Sequence, residues 1–160
     1  LLPLPGHTFS MAAIHTDDDV WFLGDSLTSP AVLEKYHVCV LYDVAGYLQS
    51  LDAVSKLRGR LFVPAHAQPV EAIAPLADVN RKKVLEIMDT LLEICENPVR
   101  TEDIVKAIFD RYDLTMDFTQ YVLVGNTIRA YLSYLSDAGR VEARFEDNRL
   151  IWQRAEAAHD

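Results

Sequence analysis

The chain has 160 residues, of which 50% are apolar and 24% are charged, and its net charge is −9. This composition is typical of a globular protein, and it excludes the collagen-like and disordered classes. No apolar run approaches the ~18–20 residues that cross a bilayer. The first residues, LLPLPG, also lack the basic region and the small-residue cleavage site of a secretion signal.

Charge and cysteine content narrow the choice of partner and compartment. Residues 1–75 carry four Lys/Arg against eight Asp/Glu, and residues 76–160 carry eleven against sixteen. An acidic excess in both parts argues against a partner that is mainly phosphate backbone. Cys39 and Cys95 lie in separate apolar patterns, where thiols usually pack as small hydrophobes in a reducing compartment. We therefore expect a cytoplasmic protein with unlinked cysteines.

The first part, residues 1–75, alternates short strands with short helices. The apolar runs AAIHT and VWFLGD flank an acidic turn at 17–19 and predict a hairpin. Pro30 is expected in the first turn of a helix, PAVLEKY, and a second helix is predicted near Gly46 to Leu57. RLFVPAH supplies a further strand, which we expect Pro64 to end. Strands interleaved with helices predict an α/β layer.

The second part, residues 76–160, begins with longer helical patterns. Asp78 is expected to cap the first helix. That helix has one apolar stripe, formed by Val84, Ile87, Met88, Leu91 and Cys95. Thr101 begins a second helix, and a third runs from about Thr119 to Ala138, with Tyr121 expected to face inward.

An alternating segment ends the second part. Val141, Ala143 and Phe145 are expected on one face, and the chain returns through the turn at 147–148. Three helices followed by a two-stranded wing predict an α+β winged-helix-like domain over 76–160. His159 is expected in a frayed end.

Three polar side chains are candidates for chemistry in the first part. His7 lies in a Pro-Gly turn, Asp25 follows an apolar strand after Gly24, and His66 follows the strand in LFVPAH. Two imidazoles and one carboxylate suit zinc or another borderline divalent metal. Their spacing alone leaves open the alternative of two loop histidines and a helix-capping aspartate.

These candidates lie in motifs that resemble a known family. LPGHT, FLGDSL and VPAH, in this order, resemble the later metal-binding motifs of the metallo-β-lactamase superfamily, the hydrolase fold that includes glyoxalase II. The helix in YLQSLDAVSKL adds to a resemblance that covers about residues 3–70. It implies that residues 1–75 form the C-terminal half of an αββα sandwich. It further implies that His7 binds one metal of a pair, that Asp25 bridges both as the catalytic carboxylate, and that His66 completes the other.

The resemblance also implies cofactors and an activity. Two zinc ions are expected in the intact site, with iron and manganese as alternatives. The reaction is hydrolysis of esters, thioesters, lactams or phosphodiesters by a metal-activated water. Ala65 and Ala67 stand where the family usually has Gly beside the last His, so this loop is expected to have a different shape.

The family's HxHxDH motif occurs nowhere in the chain. We therefore expect a C-terminal fragment that lacks its N-terminal half-domain, holds at most one metal weakly and is inactive alone. An uncovered sheet edge and apolar face predict a homo-oligomer. The expected substrate is a small molecule. The alternative is a winged-helix interaction or nucleic-acid-binding module without catalysis, with basic residues on the third helix and wing: Arg129, Arg140, Arg144 and Arg149.

Overall fold

The computed structural model describes residues 1–156. The chain divides into two compact units, Leu1–Leu85 and Glu86–Asp160, the second described as far as Glu156. The division falls inside a long helix, Ala74–Ile94. The prediction for His159 lies outside the described residues.

A four-stranded sheet forms the centre of the first unit. Its strands are β1 (Leu2–Pro3), β2 (Ala12–His15), β3 (Val20–Thr28) and β4 (Leu61–His66), in that spatial order. The first three pair antiparallel, which confirms the predicted hairpin between β2 and β3. β3 and β4 pair parallel.

Two helices connect β3 to β4, as a parallel pair requires. Helix α1 (Pro30–Tyr36) starts at Pro30, as predicted, and α2 is Val44–Ser55. Apolar side chains from the sheet and helices form a buried core: Leu23, Leu27, Leu51, Val54 and Phe62. The alternation along the hairpin leaves Ile14 and Phe22 on the other face, 51% and 46% exposed.

Two expected boundaries in this unit are wrong. Strand β4 does not end at Pro64 but continues to His66, because Pro64 pairs with Gly24 where the β3–β4 register is already irregular. Proline has no backbone N–H to donate, and this loss costs little where the hydrogen-bond ladder is already interrupted. Helix α3 (Ala74–Ile94) begins four residues before the predicted cap, Asp78, because Pro75 is accommodated in its first turn. The apolar stripe predicted for this helix is buried.

The second unit contains the end of α3, two further helices and a small sheet. Strand β5 (Val99–Arg100) leads directly into α4 (Thr101–Arg111), and α5 (Phe118–Asp137) follows. Strands β6 (Val141–Glu146) and β7 (Arg149–Arg154) form a hairpin. The sheet has the order β5-β7-β6 and is antiparallel throughout, so it has three strands where two were expected.

The burial of two aromatic residues in this unit differs from expectation. Tyr121 is exposed because the buried face of α5 starts only at Val124, one turn further along the helix. Phe145 is 78% exposed, since it lies next to the hairpin turn while Val141 at the opposite end of β6 is buried. The turn itself is confirmed. Asp147 and Asn148 both have positive φ, which suits a tight two-residue hairpin connection.

Cys39 and Cys95 are both free thiols, as expected. No helix within residues 1–156 has both the length and the apolarity to cross a bilayer.

Candidate functional site

The loop that carries His7 is held by a glycine that no other residue could replace without strain. Gly6 has φ +139°, and a Cβ built on it would lie 2.5 Å from the Cα of Tyr47. Its carbonyl accepts hydrogen bonds from the N–H groups of Tyr42 (2.9 Å) and Asp43 (3.1 Å). The turn predicted from the Pro-Gly pair is therefore fixed against the start of α2, and His7 projects from it.

The imidazole of His7 has a defined orientation. Its Nδ1 lies 2.9 Å from the carbonyl oxygen of Val40. Because a carbonyl can only accept, Nδ1 carries the proton, and Nε2 of the neutral ring presents a lone pair. That Nε2 lies 3.6 Å from Oδ2 of Asp25. Two such acceptors repel each other unless a second proton on the ring or a cation lies between them.

The sequence predicts that Asp25 follows the end of its strand. In the structure Asp25 lies within β3, in an irregular part of the strand. The register of β3 against β4 shifts on both sides of Gly24, which has φ +55°. Ser26 is buried and donates to the carbonyl of Leu23 (2.7 Å), which holds the local bend. Bulges of this kind redirect a side chain, and here they place the Asp25 carboxylate beside both candidate histidines.

His66 is the last residue of β4 and approaches the same carboxylate. Its Nε2 lies 3.1 Å from Oδ1 of Asp25, the oxygen not approached by His7. The carbonyl of His66 accepts from the N–H of Ser29 at 3.0 Å, which ties the end of β4 to the residue after β3. The structure thus brings together all three predicted side chains, with one imidazole on each oxygen of Asp25.

Sequence reasoning missed a buried amide that holds the end of β3. Asn80 on α3 is only 2% exposed. Its Nδ2 donates to the carbonyls of Thr28 (2.8 Å) and Leu76 (2.9 Å). Its Oδ1 accepts from the N–H of Thr28 (3.0 Å) and the hydroxyl of Tyr47 (3.1 Å). Burial raises the pKa of that Tyr47 hydroxyl, which keeps it a donor. The available signal was a polar residue in line with the apolar stripe of α3, four residues before Val84.

A second histidine–carboxylate pair lies in the β2–β3 hairpin. His15 Nε2 is 2.8 Å from Asp19 Oδ1, and its ring stacks on Trp21 with centroids 4.3 Å apart. This pair is exposed and has a single imidazole. It is a natural comparison for the Asp25 group.

Within residues 1–156 no three or more His, Cys, Asp or Glu side chains are arranged to hold a metal ion. The Asp25 group is therefore two histidine–carboxylate pairs that share one aspartate. Each pair supplies one imidazole nitrogen and one carboxylate oxygen. That is less than the three or four protein ligands of a complete zinc site.

Comparisons with known proteins identify the fold. No protein-family profile matches the sequence, and no curated protein matches it. Among solved structures, a metallo-beta-lactamase family protein from Thermus thermophilus is similar, with a TM-score of 0.71 and 21% identity. A beta-lactamase domain protein from Burkholderia ambifaria is also similar, with a TM-score of 0.75 and 22% identity.

The extent of these matches is asymmetric. Each covers 94% of this chain but only 47% and 46%, respectively, of the solved chains. A match over 94% of the chain must include most of both units. This chain therefore has a mixed α/β fold like that of about half of a metallo-β-lactamase family protein.

Proposed function

We propose that residues 1–75 are the second half of the catalytic domain of a metal-dependent hydrolase of the metallo-β-lactamase superfamily. Coverage of about half of each solved chain supports this assignment. So does the pairing of Ile14 with Phe22 across the hairpin, because these two exposed apolar side chains form a face that a further layer can cover. We expect that layer in the N-terminal half-domain.

The observation that carries the proposal is the arrangement around Asp25. An imidazole on each carboxylate oxygen is the pattern needed if one aspartate bridges two cations. His7 and Asp25 would hold one ion, and Asp25 and His66 the other, with the remaining ligands coming from the HxHxDH half. The donor set fits zinc, with iron or manganese as alternatives. Such ions, when bound, supply an activated water and polarise the scissile carbonyl or phosphoryl oxygen.

The chain's own residues prepare this arrangement. The Val40 carbonyl holds the proton of His7 on Nδ1, and this directs the Nε2 lone pair toward Asp25, as outer hydrogen bonds commonly do for ligating histidines. The Ser29 N–H holds the backbone of His66 in place. Asn80 fixes Thr28, which pairs with His66 across β3 and β4. Small-molecule esters, thioesters, lactams and phosphodiesters are the proposed substrate classes.

We further propose that residues 76–160 are a winged-helix-like domain. The order helix, strand, helix, helix, strand, strand over α3 to β7 supports this, as does the tight turn of the final hairpin.

A zinc titration tests the metal proposal. Asp25 has an imidazole beside each carboxylate oxygen, whereas Asp19 has a single imidazole beside it. We therefore expect the ring resonances of His7 and His66 to respond at lower Zn²⁺ concentrations than those of His15, by about tenfold, which corresponds to about 1.4 kcal/mol. Asp25→Asn should abolish the early response, whereas the matched variant Asp19→Asn should leave it unchanged. Equal responses of all three histidines would contradict the proposal.

The chain alone should hydrolyse no ester, thioester, lactam or phosphodiester substrate at a chelator-sensitive rate.

We also propose that the chain self-associates when its partner half is absent, through the face that includes Ile14 and Phe22. Light scattering at micromolar concentration should detect a dimer or larger species. Replacing Phe22 with Gln should shift it toward the monomer. A monomeric native chain at that concentration would refute this proposal.

A further inference from the structure

The second unit contains a cavity of about 450 Å³ that the proposed hydrolase site does not use. It lies beside the start of α4, the middle of α5 and the β6–β7 turn. Its polar lining includes Arg100, Thr101, Glu102, Asp103, Arg129 and Arg149. A volume of this size is typical of sites for small molecules.

Three arginines from three different elements line this cavity. Arg100 is on β5, Arg129 on α5 and Arg149 on β7. None of the three guanidinium groups forms an ion pair or hydrogen bond with another side chain or backbone group in residues 1–156. Other arginines of this unit do form ion pairs with glutamates: Arg111, Arg144 and Arg154. Three arginines without an ion-pair partner that line one cavity of an acidic chain indicate an anion site.

Thr101 adds an independent donor. It is only 5% exposed, and its Oγ1 accepts from Nε1 of Trp152 at 3.0 Å. Within residues 1–156 the Thr101 hydroxyl accepts this bond and donates none. A buried donor without an acceptor is costly. A ligand oxygen in the cavity that Thr101 lines would satisfy it.

The charge of the cavity limits the size of the anion. Glu102 and Asp103 also line it, so the lining contains three positively charged and two negatively charged side chains. The net charge of the whole chain is −9. This charge repels a long polyanion, because many of its phosphates would lie within a Debye length of acidic side chains. A small anion in the cavity interacts mainly with the charged side chains that line it.

We propose that this cavity binds a small molecule through a single phosphate group. Planar guanidinium forks recognise phosphate oxygens in pairs, and the hydroxyl of Thr101 supplies a further hydrogen bond. Nothing in this assignment depends on the metal site in the first unit.

Titration of the 160-residue chain with inorganic phosphate and with phenyl phosphate tests the assignment. EDTA is present throughout, so that no metal at Asp25 takes up the anion. The Nε–Hε resonances of Arg100, Arg129 and Arg149 should shift together and saturate. Arg129→Gln should weaken binding about tenfold, as expected for loss of a charge-assisted contact. Arg140→Gln is the matched control outside the cavity and should leave the affinity unchanged.

Two further variants give effects of opposite sign. Glu102→Gln removes a repelling charge and should strengthen phosphate binding, whereas Thr101→Val should weaken it. Three results would overturn the proposal: no saturable shift, an equal loss in Arg140→Gln, or a steeply salt-dependent duplex DNA complex tighter than the phenyl phosphate complex. The last result would instead assign the arginines to a nucleic-acid surface.

Discussion

Replacing Asn80 with alanine gives the most direct test of how the Asp25 site is held in place. The change removes the acceptor for the N–H of Thr28 and the hydroxyl of Tyr47, and it removes a donor to the carbonyl of Thr28. Each buried polar group left without a partner costs about 1 kcal/mol or more. The three together predict a loss of about 3 kcal/mol in the free energy of unfolding of the first unit.

Denaturant unfolding followed through Trp21 measures this loss. A Trp152→Phe background removes the other tryptophan, so that the signal reports the first unit alone. A loss of about 3 kcal/mol should lower Tm by more than about 10 °C in a unit of this size. Gln49→Ala, at an exposed position on α2 of the same unit, is the matched control and should change stability by less than about 0.5 kcal/mol. A loss below about 1 kcal/mol for Asn80→Ala would refute the claim that these three hydrogen bonds stabilise the first unit.

Two further predictions concern the backbone and the thiols. Gly6→Ala should destabilise the first unit by several kcal/mol, because the new Cβ would lie 2.5 Å from the Cα of Tyr47. A Cβ at Gly139 would meet open space, so Gly139→Ala should cost only about 1–2 kcal/mol, which comes from its positive φ. Thermal unfolding measures both variants, and equal effects would contradict this prediction. Burial raises the pKa of Cys95 from an ordinary value of 9.0 to about 11. The folded state then retains a proton that the unfolded state releases, so stability should fall as pH rises from about 9 to about 11. Cys95→Ala should reduce that slope in denaturant titrations, and an unchanged slope would show that other groups cause it.

Local patterns were enough to predict most of the helices and both hairpins. The alternation around residues 17–19 and the helical spacing of the α3 stripe depend on neighbours close in the chain. Strand β5 was missed because two residues are too few to show a period. The start of α3 was misplaced because Asp78 is a good cap by composition, although Pro75 allows the helix to begin earlier.

The three side chains of the site could be predicted from the sequence, but the hydrogen bonds that orient them could not. His7, Asp25 and His66 were selected by motif, and the structure brings their side chains together; their role as metal ligands remains a prediction. The hydrogen bond that orients His7 joins residues 33 apart in sequence, and the Asn80–Thr28 bonds span 52. Such partners have no local signature. Asn80 was visible only as a polar residue in line with the apolar stripe, one helical turn before its first residue.

The parallel pairing of β3 with β4 also has a kinetic consequence. Asp25 and His66 lie on neighbouring strands, yet the chain between them must close a crossover that contains α1 and α2. Closing so long a segment costs chain entropy before any ladder hydrogen bond compensates for it, and contacts of this kind form late. The β2–β3 hairpin can form on its own, and we expect the His66 imidazole to reach the Asp25 carboxylate later in folding than the hairpin forms.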